Sequence, residues 1–257
     1  MADLAGAVAD IVAEAGQEAL ALFRTDFRRW EKAPGDPVSE VDLHIDRLLR
    51  HRLTALLPEA GWLSEETADN ADRLGCDRVW VVDPIDGTRD YIRGRPGWCV
   101  SVALVEAGAP VLAVLDAPAR GERWWASAGG GAWRNGARLC CADRTVLQGA
   151  RVPADVLPRA DRALFTLVPK PNSIALRVAM IAADEADLVA TARWGNEWDV
   201  AAAALIASEA GATVTDALGV PLRFNQPRPR AFGLLAAAAG VHRTALAHLG
   251  ERATTEA

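Results

Sequence analysis

Two aspartates three residues apart, Asp83 and Asp86, close an apolar run in Trp80-Val-Val-Asp83-Pro84-Ile85-Asp86-Gly87-Thr88. Ionised oxygens at that spacing can converge on one hard cation when a turn ends a strand. Gly87 and Thr88 follow with backbone N–H groups, unobstructed at the glycine, that could face a phosphate. Turn chemistry is the competing explanation, because Asp is common at strand ends and Asp-Gly is a turn pair. Metal plus phosphate is therefore the chemistry to test against the remaining acids.

Each other acid also has an ordinary explanation. Glu65-Glu66, in Trp62-Leu-Ser-Glu-Glu-Thr67, reads alone as a solvated surface pair. Asp42 fits a capping box with Ser39 in Ser39-Glu-Val-Asp42. Asp199, in Glu197-Trp198-Asp199-Val-Ala-Ala-Ala-Ala, falls in the first turn of an expected helix, where negative charge is favoured. None of them requires a function singly.

The elements that must position them follow from periodicity. Leu4, Val8, Ile11, Ala15, Leu22 and Phe23 predict a helix over about 3–24. Val41, Ile45, Leu48, Leu49, Leu53 and Leu56 predict a second, stopped by Pro58. Residues 78–83 read as a buried strand. Strands at 98–105, 111–115 and 123–126, a turn at Gly108-Ala-Pro110 and an Asn135-Gly136 hairpin form an antiparallel block. Beyond residue 150, strands at 163–168, 188–192, 212–215 and 232–236 alternate with helices at 173–183 and 198–210 and a final one, with Gly211 as a stop. The expected class is α+β or layered α/β in two lobes, 1–145 with most acids and 146–257 with Asp199.

Composition bounds the partners. A net charge of −6 argues against a nucleic-acid polymer, and 51% hydrophobic with 24% charged residues describes a globular chain. No run is long and apolar enough to span a bilayer, and Met1-Ala-Asp-Leu lacks a basic leader, so neither membrane insertion nor a signal peptide is expected. Cys76, Cys99, Cys140 and Cys141 form no CxxC pair and have no histidine cluster, which disfavours zinc and fits reduced thiols in a cytoplasm.

Taken together and in order, Ser64-Glu-Glu-Thr67, Asp83-Pro-Ile-Asp-Gly-Thr88 and the segment from Trp198-Asp199 to Gly211 resemble the inositol monophosphatase superfamily, over about residues 5–240. The resemblance implies an αβαβα sandwich and a Mg²⁺-dependent, often lithium-sensitive phosphomonoesterase using two or three ions. It implies Glu65, Asp83, the Ile85 carbonyl and Asp86 as inner metal ligands, with Asp199 joining Asp83 and Asp86 at a second ion. It also implies that Thr88 with Asp42, close to Glu65, activates the attacking water, and that the Gly87 and Thr88 amides hold phosphate. The attack would be in line, without a phosphoenzyme. A homodimer is implied too.

The substrate is less sharply written. Inositol-specific members carry a glutamate seven residues before the aspartate corresponding to Asp199, and here Ala192 stands there. Arg193-Trp194-Gly195 and Ser173-Ile-Ala-Leu-Arg177 are similar to segments of the CysQ-like 3′(2′),5′-bisphosphate nucleotidases. That similarity implies Ser173, Arg177 and Arg193 as readers of a second phosphate and Trp194 as a base stacker. Solvated arginines and a core tryptophan are the alternative. Preference falls on 3′-phosphoadenosine 5′-phosphate, then inositol 1-phosphate or another sugar phosphate, with fructose bisphosphate and histidinol phosphate open. A non-catalytic metal- and phosphate-binding regulator is the reading from another class. Tyr91 is expected to pack.

Overall fold

The computed structural model describes residues 2–159 and 161–256. Helices α1 (Ala2–Leu22) and α2 (Glu40–Leu56) lie against one face of a seven-stranded sheet. Its strands run in the order β3 (Gly61–Ser64), β4 (Arg78–Asp86), β5 (Cys99–Glu106), β6 (Ala109–Ala117), β7 (Glu122–Ser127), β8 (Gly131–Arg134) and β9 (Ala137–Arg138). Only the β3–β4 pair is parallel. Alternation along β4 and β5 sends Trp80, Val82, Val100, Val102 and Leu104 toward α1 and α2. The intervening Val79, Val81, Ala103 and Val105 face the opposite way.

That opposite face is covered by α4 (Ile174–Ala182) and α5 (Glu197–Glu209). Both helices are buried nearly all round, as a layer between two sheets must be. The Ala201–Ala204 run keeps α5 thin enough for close approach. The second sheet has the order β12 (Leu188–Asn196), β14 (Arg230–Ala238), β13 (Ala212–Thr215), all antiparallel. Helix α6 (Ala239–Glu256) covers its outer face through Leu188, Leu235, Ala237, Val241 and Ala245. The layers therefore run α, β, α, β, α, the expected sandwich. One apolar cluster takes residues from both sides of position 145, so α4 and α5 complete the core of the large sheet.

Three local details depart from expectation. A hairpin of β1 (Arg29–Ala33) and β2 (Asp36–Ser39) precedes α2, where no strand was expected. The β5–β6 turn falls on Ala107-Gly108, both at positive φ, one residue before the expected Gly108-Ala-Pro110. Strand β12 continues to Asn196 across an irregularity between Thr191 and Trp194. The Asn135-Gly136 hairpin forms as expected, with Arg134 facing Ala137 and positive φ at both turn residues. A short pair, β10 (Ala150–Pro153) and β11 (Phe165–Val168), completes the strands.

Candidate active site

Strand β4 delivers the first acids. Asp83 is almost fully buried, and its Oδ1 accepts the Ile85 N–H at 3.0 Å, which fixes the turn through Pro84. The pairing with β5 slips between Asp83 and Asp86. Ile85 keeps its side chain in the core and leaves its carbonyl 3.0 Å from Thr88 Oγ. Gly87 then caps the short helix α3 (Thr88–Ile92) at φ 98°. A Cβ there would meet the Gly97 carbonyl at 2.7 Å, so both conformation and space demand glycine.

Asp42 and Asp199 share one design. Each is the third residue of its helix and bonds back to the cap. Asp42 Oδ2 accepts from Ser39 N at 2.9 Å and Ser39 Oγ at 2.5 Å, while Oδ1 stands 3.0 Å from Thr88 Oγ. Asp199 Oδ2 accepts from Asn196 N at 3.0 Å. Cap and chemistry thus do not compete for these residues. The cap takes one oxygen and fixes the direction of the other.

Glu65, Asp83 and Asp199 meet, each offering an oxygen within 4.8 Å of the others. Three carboxylates so close either hold protons or share a cation, and an all-oxygen donor set suits Mg²⁺. Asp86 is held differently. Its Oδ2 accepts from Ser173 Oγ at 2.5 Å and Ala175 N at 2.7 Å, and its Oδ1 from Ile174 N at 3.3 Å. The carboxylate therefore rests on the N-terminus of α4, outside the three-acid group.

The electrostatics express the crowding. Burial, then repulsion from Glu65, Asp86 and Asp199, pushes Asp83 well above the usual carboxylate range. Burial and the Asp86 charge push Asp199 up to about 8. Asp86 rises to about 6 by burial, restrained by its Ser173 and Ala175 donors. Burial also raises Asp42, against the Ser39 bonds.

Lys32, on β1, was not singled out by sequence, because its strand was not expected. Its ammonium lies 2.9 Å from both Glu65 Oε1 and Glu66 Oε1. Burial would lower its pKa, but the two carboxylates more than offset this and hold it above its ordinary value. Glu66 is pushed up to about 7 by burial and by Glu65.

Two of the residues expected to read substrate bond to groups within the protein. Ser173 is fully buried, caps α4 by accepting Leu176 N at 2.9 Å, and donates to Asp86. Its hydroxyl positions an acid and has no open face for a ligand. Arg177 donates Nη2 to the Asn172 carbonyl at 2.6 Å and Nε to the Ser173 carbonyl at 3.2 Å. Its guanidinium grips the loop that leads into α4. Arg193 is exposed. Trp194 is 54% exposed, edge-on to Phe232 with Arg230 over its ring at 5.6 Å. The extra residue near Ala192 means that spacing counted along the chain differs from spacing across the sheet. Tyr91 packs against Phe23 and Trp98, with its hydroxyl on the Ala19 carbonyl.

Comparison with known proteins agrees with this arrangement. The sequence profile of the inositol monophosphatase family matches residues 2–254. The Nus factor SuhB of Xylella fastidiosa is 34% identical over 221 residues, covering 80% of this chain and 78% of that one. An inositol monophosphatase of Dictyostelium discoideum is 33% identical, covering 82% and 83%. The 3′(2′),5′-bisphosphate nucleotidase CysQ of Aggregatibacter actinomycetemcomitans is 27% identical, covering 85% and 86%. The solved structure of a Thermotoga maritima IMPase superposes over the whole of both chains with a TM-score of 0.83 at 25% identity. Layers, acids and sequence agree, and the chain belongs to the inositol monophosphatase family.

Proposed function

We propose that this phosphatase-family chain hydrolyses small phosphate monoesters with Mg²⁺, the residues of the acidic cluster acting as ligands. The observation that carries the reading is the Thr88–Asp42 pair, set two residues after Asp86 on the chain that leaves the acidic cluster. Glu65, Asp83 and Asp199 would hold cations with the Ile85 carbonyl, and Asp86 would join them through Oδ1, which takes the long 3.3 Å bond from Ile174 N while Oδ2 takes the two shorter ones. Divalent cations held there would lower the pKa of a water and neutralise phosphate oxygens. Thr88 Oγ would take a proton from that water while giving its own to Asp42 Oδ1, so the proton ends on the carboxylate and the hydroxyl stays neutral. Asp42, anchored by Ser39, keeps Thr88 in this orientation. The Gly87 and Thr88 amides would receive the transferring phosphate. Four free cysteines and the absence of any helix long and apolar enough to cross a membrane, among the described residues, support a reducing cytoplasm as its setting.

Among esters, a planar, multiply anionic one such as 3′-phosphoadenosine 5′-phosphate is favoured by exposed Trp194, Arg193 and Arg230 on β12 and β14. Inositol 1-phosphate is the second reading, favoured by the higher identity to the Dictyostelium protein. The test is phosphate release from these two, fructose 1,6-bisphosphate and histidinol phosphate at saturating Mg²⁺, with Glu65→Gln as blank. The expected result is a kcat/KM at least about tenfold higher for the nucleotide, equal to about 1.4 kcal/mol of transition-state binding. A preference for inositol 1-phosphate selects the second reading. No Mg²⁺-dependent release from any of them would overturn the enzyme and leave a binding protein.

A further inference from the structure

Asp46 lies one turn beyond Asp42 on α2, among buried Val41, Ile45, Leu49 and Leu53. A carboxylate on an apolar stripe is costly unless its oxygens are satisfied. Both are. Ser64 Oγ donates to Oδ1 at 2.5 Å and Thr67 Oγ donates to Oδ2 at 2.7 Å. These two hydroxyls bracket Glu65-Glu66. Ser64 ends β3, and the Glu65 N–H reaches Val82 O at 3.2 Å. After that the chain leaves the ladder while Lys32 pulls on both glutamates from the β1–β2 hairpin. Asp46 is thus the anchor that closes the far end of the segment.

We propose that Asp46 is a positioning residue that sets Glu65 for cation binding. Helix α2 then orients Thr88 through Asp42 and Glu65 through Asp46. One helical turn, about 5.4 Å, is the ruler between the water-activating pair and a ligand. The inference rests on Glu65 being a metal ligand. Each hydroxyl meets its own carboxylate oxygen, an arrangement that an amide reproduces only if one hydroxyl turns to accept.

The experiment titrates Mg²⁺ into the metal-free chain by calorimetry for the parent, Asp46→Asn, Thr67→Val, Thr67→Ser and Glu65→Gln, with thermal unfolding of each. Thr67→Val keeps the shape of the side chain and serves where Asp46→Asn fails to fold. The expected result is Mg²⁺ affinity weakened at least about tenfold in Asp46→Asn and Thr67→Val, and restored in Thr67→Ser. The Asp46→Asn/Thr67→Val double variant, titrated alongside, should bind no more weakly than Asp46→Asn alone, because both substitutions break the Asp46–Thr67 contact. Parent-like affinity in Asp46→Asn and Thr67→Val, with Glu65→Gln impaired, makes Asp46 a core residue only and overturns the inference. Parent-like affinity in Glu65→Gln removes Glu65 from the metal site and takes the inference with it.

Discussion

A buried serine that donates to an acid and a serine that touches substrate fail differently when removed, and Ser173 allows the two to be separated. Its hydroxyl both caps α4 and holds Asp86. Ser173→Ala should cost about 1 kcal/mol of stability through the lost cap. It should also lower kcat by a similar factor for a monophosphate and a bisphosphate, because Asp86 serves both. Steady-state kinetics on the two substrates, with thermal unfolding, checks this. A rise in KM confined to the bisphosphate would return Ser173 to the substrate. Arg177 poses the same question less sharply, since its spare donors remain unassigned while Nη2 and Nε hold backbone carbonyls.

At the scale of elements, the turn from β4 into α3 brings the Gly87 and Thr88 amides, proposed above to receive phosphate, beside the loop before α4. Gly87 is where those two chains touch, with Gly97 O and Ser173 N both near its missing Cβ. Gly87→Ala combines a positive φ with a backbone clash, and should cost about 1–3 kcal/mol. It should also reduce kcat by displacing Thr88. Gly75→Ala is the control, since no atom lies within 4 Å of its added Cβ and its φ is not positive. Equal melting temperatures for the two variants would contradict the close approach. Such contacts explain what was legible in the sequence. Helices α1 and α2, the buried strand and the antiparallel block were readable because apolar spacing writes local structure directly. The acids were readable because their motifs are contiguous. The bond from Ser173 to Asp86 was not legible, because a sequence names a hydroxyl without saying which way it points. Lys32 was hidden in a short exposed hairpin. Asp46 carries a signal visible in the sequence, a charge on the apolar face of α2.

For the whole molecule, the acids at the junction of the layers make stability depend on pH in a direction opposite to most proteins. Folded Asp86 titrates near 6, Glu66 and Glu197 near 7 and Asp199 near 8, each raised first by burial. Asp83 is raised as well. In the unfolded chain such groups lose protons near 4. Between about pH 4 and 8 the folded state therefore binds more protons than the unfolded one, and stability falls as pH rises. Glu40, Asp69, Asp155 and Asp187 are lowered and contribute in the other direction, but their titration is complete below pH 5. His242, lowered by burial, also opposes the trend, but as a single group against several raised carboxylates. The metal-free chain should thus melt progressively lower from pH 5 to pH 8. Mg²⁺ competes with those protons, so its stabilisation should grow over the same interval. Thermal unfolding at both pH values, with and without Mg²⁺, measures this coupling. A Mg²⁺ shift that is the same at pH 5 and pH 8 would mean that the cation binds elsewhere than among these carboxylates.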